Sequence, residues 1–111
     1  MSHEAIARMN HRSGYNCAQA VTVSFAPELR STPIEAMKAA PKPRSAGGKC
    51  GAYLAGLQVL NELKPEAASV FTEKFLAENG STECKVLRGH CNDMVGCAAR
   101  LVEMLMGCPE N

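Results

Sequence analysis

Apolar residues recur along the chain at three- and four-residue intervals, separated by residues that cap or break helices. Ser2 to Arg12 reads as the first helix, with Ser2 as its cap, Gly14 just past its end and a thin apolar stripe of Ala5, Ile6 and Met9. The next segment, Tyr15 to Phe25, carries two signals. Val21 to Phe25 alternates as a strand does, whereas Cys17, Ala18, Val21 and Phe25 share one helical face. A lone strand has no partner to pair with, so a helix is expected, with Pro27 at its end. Thr32-Pro33-Ile34-Glu35 is a helix start: Thr32 caps, Pro33 occupies the first turn and Glu35 completes a capping box. That helix runs to about Ala40, and Pro41 to Gly48 is a loop. Lys49 to Leu63 follows as a helix with Cys50, Tyr53, Leu54, Leu57 and Leu60 on one face. Lys64-Pro65 breaks the chain before Glu66 to Glu78, where Ala68, Phe71 and Phe75 point inward and Asn79-Gly80 ends the helix. Ser81 caps a short helix from Thr82 to Arg88, and Gly89 interrupts. The last helix, about Asn92 to Met106, presents Val95, Ala98, Leu101 or Val102, and Leu105 before a frayed tail at Gly107-Cys108-Pro109. The pattern predicts an all-α, small single-domain helical bundle spanning 1–111, with five to seven helices, one core and no sheet.

Composition agrees. Sixteen alanines stand against nine Val plus Ile, a bias toward helix. Twelve basic and eleven acidic residues leave a net charge of +1, which argues against a nucleic-acid partner held by phosphate contacts. The longest uncharged run, Ser13 to Pro27, is too short and too polar for a transmembrane segment. The first residues form no apolar stretch of signal-peptide type, so the expected location is cytoplasmic.

Six cysteines in 111 residues change the picture. In a reducing compartment, clustered cysteines point to redox chemistry or metal more than to structural disulfides. A buried free cysteine is otherwise a small hydrophobe, and that reading covers one cysteine better than six. Cys17, Cys50, Cys84 and Cys91 each fall in the first turn of an expected helix or just before it, where unpaired N–H groups favour a thiolate. These four are expected to converge in one cluster. Cys50 is expected to be the most acidic, ahead of Cys91 and then Cys84. Lys38, Lys42, Arg44 and Lys49 precede it with no acid between, and glycines flank it. Burial under Tyr53 and Leu57 would oppose this. Glu83 opposes a thiolate at Cys84, and His90 assists Cys91 only when protonated. Cys84 and Cys91 lie too far apart for a disulfide on one continuous helix, and the Gly89 break is what would bring them together. Cys97 reads as core filler outside the cluster, and Cys108 as a tail thiol. No Cys-x-x-Cys occurs, so no metal ligand is assigned, although a four-thiolate site from separate helices stays open. His3, His11 and His90 have no ligand spacing, and the six methionines read mostly as core. Gly47-Gly48-Lys49 is no phosphate loop, because the upstream glycine and the Ser/Thr are missing.

Asn16-Cys17-Ala18-Gln19-Ala20-Val21, Cys50-Gly51-Ala52, Cys84-x-x-Leu87-x-Gly89 and Cys91-x-x-x-Val95 together resemble a redox-active family named for its Cys, CGAxxG, Cys, Cys pattern, over about Gly14 to Val102. The resemblance implies a small helical protein that works through four invariant cysteines, carried over here to Cys17, Cys50, Cys84 and Cys91. One position departs: Ala55 stands where the pattern has glycine, with Gly56 next, and the extra methyl is expected to close a backbone contact. The leading functional reading is a thiol-based redox protein, acting by disulfide exchange or electron transfer with a protein redox partner. The alternatives are a metal or iron–sulfur module on the same four thiolates, and a helical interaction domain with inert cysteines. Cofactor and oligomeric state are not legible.

Overall fold

The structure, a computed structural model, describes residues 2–107. Its helices are α1 (His3–Arg12), α2 (Cys17–Ser24), α3 (Ala26–Leu29), α4 (Pro33–Ala39), α5 (Ser45–Gly48), α6 (Gly51–Leu63), α7 (Ala68–Asn79), α8 (Cys84–Leu87) and α9 (Cys91–Gly107), with a 3₁₀ turn at Pro65–Ala67. Among the described residues there is no strand, only an isolated bridge between Lys49 and Glu83. The all-α expectation is met, including at Val21 to Phe25. Among the described residues the helix count is nine rather than five to seven, because the single turns α3 and α5 are not among those expected; α5 has Ala46 and Gly47 at positive φ. Helix α2 ends at Ser24, just before Pro27 as expected, and Pro27 sits inside the first turn of α3, where its missing N–H costs nothing.

Helix α9 is the axle, with α1, α2, α6 and α7 packed around it. Its residues Met94 to Ala99, Leu101 and Val102 are buried, nearly all round the helix. The expected stripes are met at Phe71 and Phe75 of α7, at Val95, Ala98, Leu101 and Val102 of α9 and at Tyr53 and Leu60 of α6, and the structure adds small residues to them. On α6 the buried face is Ala52, Tyr53, Ala55, Gly56, Val59 and Leu60, while Leu54 and Leu57 are only half-buried. On α1 only Ala7 is buried, and Met9 is exposed. The methionine expectation therefore fails at Met9 and Met104, both exposed, and succeeds at Met94. Close helix approach selects small residues, which a search for large apolar ones passes over.

At one end of the core, Tyr53, Phe71 and Phe75 pack with ring centroids 5.4–5.9 Å apart. A Cβ on Gly56 would lie 2.4 Å from Phe71 Cζ, so glycine at 56 lets this ring seat. Ala55, the departure from the family-like pattern, is wholly buried in the core. Elsewhere, His3 stacks on Phe25 and its backbone N–H donates to Glu103 Oε1 at 2.8 Å. This bond, with that of the His3 ring Nδ1 to the same oxygen at 2.5 Å, holds the Glu103 carboxyl below its usual range and joins α1 to α9.

Three expected helix ends match the sequence, whereas Ser81 does not cap α8: the cap position is Glu83, and Ser81 Oγ accepts from the Glu83 N–H at 3.0 Å. Ser2 Oγ accepts from Ala5 N–H, Thr32 and Glu35 form a reciprocal capping box, and Gly80 ends α7 at φ +77°. A second capping box, which the sequence reading missed, opens α2: Asn16 Oδ1 accepts from Gln19 N–H at 2.8 Å, and Gln19 Oε1 accepts from Asn16 N–H at 3.1 Å. It fixes the turn that presents Cys17. Asn16→Ala is expected to destabilise the protein by about 1 kcal/mol, read as a shift in the denaturant midpoint at unchanged m-value.

Candidate thiol site

Each of the four sequence-selected cysteines stands at a helix start. Cys17, Cys84 and Cys91 are the first residues of α2, α8 and α9, and Cys50 is the cap of α6. Two backbone arrangements bring these starts together. Cys50 N–H donates to Thr82 O at 2.8 Å, and Lys49 bridges Glu83, so the start of α6 is stitched to the approach of α8. This pairing holds residues 82 and 83 extended, which is why α8 begins at Cys84 rather than at the expected Thr82. Beyond α8, Gly89 at φ +93° turns the chain within three residues, and α9 begins at Cys91.

The result is a tight pocket, with about 10 Å³ open to a water-sized sphere, lined by Cys17, Cys50, Gly51, Cys84, Leu87, Cys91 and Met94. All four expected thiols face it. Its other walls are apolar. Leu87 and Met94 were not singled out from sequence, although each lies three residues after a cluster cysteine, on the same helical face. Cys17, Cys84 and Cys91 are half-buried, and Cys50 is 6% exposed.

Gly51 flanks Cys50 in sequence, yet its role in the structure concerns another cysteine. In the structure a Cβ at 51 would lie 2.5 Å from Cys17 Sγ and 3.1 Å from Pro43 Cβ. Glycine is required because the sulfur of another cysteine rests against its backbone. Gly51→Ala is expected to push Cys17 out of the cluster and to cost about 1–3 kcal/mol, the usual penalty of overpacking. Denaturant unfolding and the alkylation rate of Cys17 check both parts.

Electrostatics inside the pocket oppose ionisation at its deepest point. Burial pushes the Cys50 thiol up from 9.0 to about 11, only partly offset by the N–H groups of Tyr53 and Ala52, and the sulfurs of Cys17 and Cys84 add to the rise. The expectation that Cys50 is the most acidic thiol is therefore overturned: desolvation outweighs the helix start and the basic loop. The Cys17 thiol is also raised, first by burial and then by Cys91, with the N–H groups of Ala18 and Ala52 working the other way and Cys84 adding a smaller rise. Cys17 thus feels Cys84 and Cys91 and is felt by Cys50, which makes it the central member of the group.

Cys97 stays apart, as expected. It is 8% exposed and lines no part of this pocket. Asn79 Nδ2 donates to its sulfur at 3.5 Å, and it lies beside the Glu78–Arg100 ion pair. Cys108 lies outside the described residues. Among the described residues, no three His, Cys, Asp or Glu side chains stand together as metal ligands. No described helix is long and apolar enough to cross a membrane.

One family model matches the chain, over residues 15–105, and its description reads "Putative redox-active protein (C_GCAxxG_C_C)". Neither a curated protein nor a solved structure gives a significant match.

Proposed function

Since the chain belongs to the C_GCAxxG_C_C redox-active family, we propose that it is a thiol-based redox protein in which Cys17, Cys50, Cys84 and Cys91 exchange disulfide bonds. One observation carries the reading. Four cysteines spread over 75 positions of sequence, from 17 to 91, line a single small pocket whose other walls are apolar. Core filling alone gives no reason for four separate helix starts to deliver a thiol to the same place.

The step is thiol–disulfide exchange. A half-exposed thiol loses its proton and attacks one sulfur of a bound disulfide, forming a mixed disulfide and releasing the other sulfur as a thiolate. A second pocket thiol then attacks the protein sulfur of the mixed disulfide. The second half of the substrate leaves, and a protein disulfide remains. Two electrons pass to the substrate, and the two protons lost by the protein thiols go to the two released thiolates. Cys50, deepest and least acidic, suits the resolving position rather than the attacking one. Cys17, whose thiol Cys91 and Cys84 raise and which in turn raises that of Cys50, suits the junction between them. A protein redox partner in a reducing, cytoplasmic setting then restores the thiols.

Titrating accessible and total thiols after one equivalent of a disulfide oxidant tests this. The account predicts loss of two thiols per chain, recovered with dithiothreitol, in wild type and in Cys97→Ala alike. Thiols that remain uncoupled, with no intramolecular disulfide formed, would leave the cysteines as inert core. A metal assay on anaerobically purified protein, returning stoichiometric iron or zinc, would replace this reading with the ligand-site alternative.

A further inference from the structure

The thiol cluster is shut. The space among its side chains, about 10 Å³ open to a water-sized sphere, is the size of one water. Gly51, part of the pocket wall, is buried although it has no side chain of its own. The loop before α6 covers it. Pro43 Cβ and Cγ lie 3.1 and 3.2 Å from the position of a Gly51 Cβ, and Cys17 Sγ lies 2.5 Å from the same position. Pro43 and the Cys17 sulfur therefore meet at the bare side of one glycine.

The loop is bonded to itself and tied at its ends. Arg44 N–H donates to Lys49 O at 3.0 Å, Gly48 N–H to Arg44 O at 3.1 Å, Lys49 N–H to Ser45 O at 3.2 Å, and the Ser45 hydroxyl to Lys42 O at 2.6 Å. Lys42 and residues 44–47 are exposed, and no residue from 41 to 48 is buried. On one side, Gln58 Nε2 donates to Ala39 O at 2.7 Å. On the other, Lys49 Nζ donates to Thr82 Oγ1 at 3.1 Å and Cys50 N–H to Thr82 O at 2.8 Å. Between these ties Arg44 and Ala46 sit at φ +67° and +52°, where an L side chain is strained. A segment with exposed side chains and stored backbone strain belongs to the part of a structure that opens most easily.

On the exchange reading above, we infer that residues 41–48 are a lid over the thiol cluster, hinged at its two tied ends, and that its opening admits the disulfide to be exchanged. An incoming disulfide must present its S–S bond to a pocket sulfur, and a space the size of one water admits none while the lid is shut. Lifting Pro43 from Gly51 uncovers the side of that glycine on which the Cys17 sulfur rests.

Two substitutions that act on the backbone of the loop test this. A Cβ at Gly47, φ +84°, meets nothing within 4 Å, so Gly47→Ala strains the closed lid without adding a contact. Ala46→Gly relieves strain at an exposed position. Neither residue lines the thiol pocket. The reduced full-length chain is alkylated with iodoacetamide, and peptide mass spectrometry reads Cys17 and Cys97 in the same sample. Against wild type, Cys17 is expected to react about tenfold faster in Gly47→Ala and about tenfold slower in Ala46→Gly, with Cys97 unchanged in both. The rate of thiol loss to hydroxyethyl disulfide is expected to move in the same two directions. Equal Cys17 rates in the three proteins overturn the lid and leave exchange standing. A rise at Cys17 matched at Cys97 is global opening and also overturns the lid. Alkylation that follows the lid while no protein disulfide forms overturns the exchange reading, and leaves a cover with no exchange to gate.

Discussion

Cys50 in the folded protein is expected to alkylate with iodoacetamide about a hundredfold more slowly at pH 8 than in the unfolded chain. The thiolate is the reacting species. Moving a thiol from 9.0 to about 11 lowers the thiolate fraction at neutral and mildly alkaline pH by about two powers of ten. Single-cysteine variants followed by mass spectrometry give the rate directly. The same shift has a consequence for stability. Below pH 9 the thiol is protonated in both states and contributes no difference. Between 9 and 11 the unfolded chain has released the proton and the folded chain has not, so stability falls as pH rises. The loss is about 2–3 kcal/mol across that window and is absent from Cys50→Ala. A Cys50 that reacts as fast folded as unfolded would place it at the pocket mouth and remove its resolving role.

Phe71→Ala is expected to cost about 3–5 kcal/mol, among the largest effects of any single substitution in the chain. Phe71 is fully buried, packs 5.9 Å from both Tyr53 and Phe75, and sits directly over Gly56. Truncation removes the ring's burial and leaves a void that Gly56, with no side chain, does not fill. For a domain of this size the expected total is about 5–15 kcal/mol, so the loss is a large share of it. Gly56→Ala is expected to be damaging by the opposite route, overpacking against the ring, at about 1–3 kcal/mol. The two changes share one space, so the double variant is expected to lose less than the sum of the singles. Denaturant unfolding of the four proteins closes the cycle, and strict additivity would mean that the ring and Gly56 do not compete.

These effects show which parts of the molecule were legible beforehand. Helix ends were, because caps are local chemistry: Ser2, the Thr32–Glu35 box and Gly80 do in the structure what their sequence spacing implies. The convergence of the four thiols was also legible, because each lies at a helix start beside an apolar face. Burial was not. Cys50 loses its acidity to burial in a pocket whose other walls, among them Cys17, Leu87 and Met94, come from other helices. Gly51 looked like local freedom, and its need comes from the Cys17 sulfur of another helix. On α6 the inward face belongs to Ala52, Ala55 and Gly56 rather than to Leu54 and Leu57. Only the packing partners of α6 reveal that choice.

The central claim is that Cys17, Cys50, Cys84 and Cys91 form one exchange unit, and mapping the first disulfide tests it most directly. Fully reduced protein is oxidised with less than one equivalent of a small disulfide, remaining thiols are alkylated under denaturing conditions, and the cross-linked peptides are identified by mass spectrometry. The account predicts that the first intramolecular disulfide joins two of these four cysteines, with Cys97 recovered as a free thiol. A first disulfide that includes Cys97 or Cys108, or oxidation that consumes thiols without joining any two of the four, would contradict it.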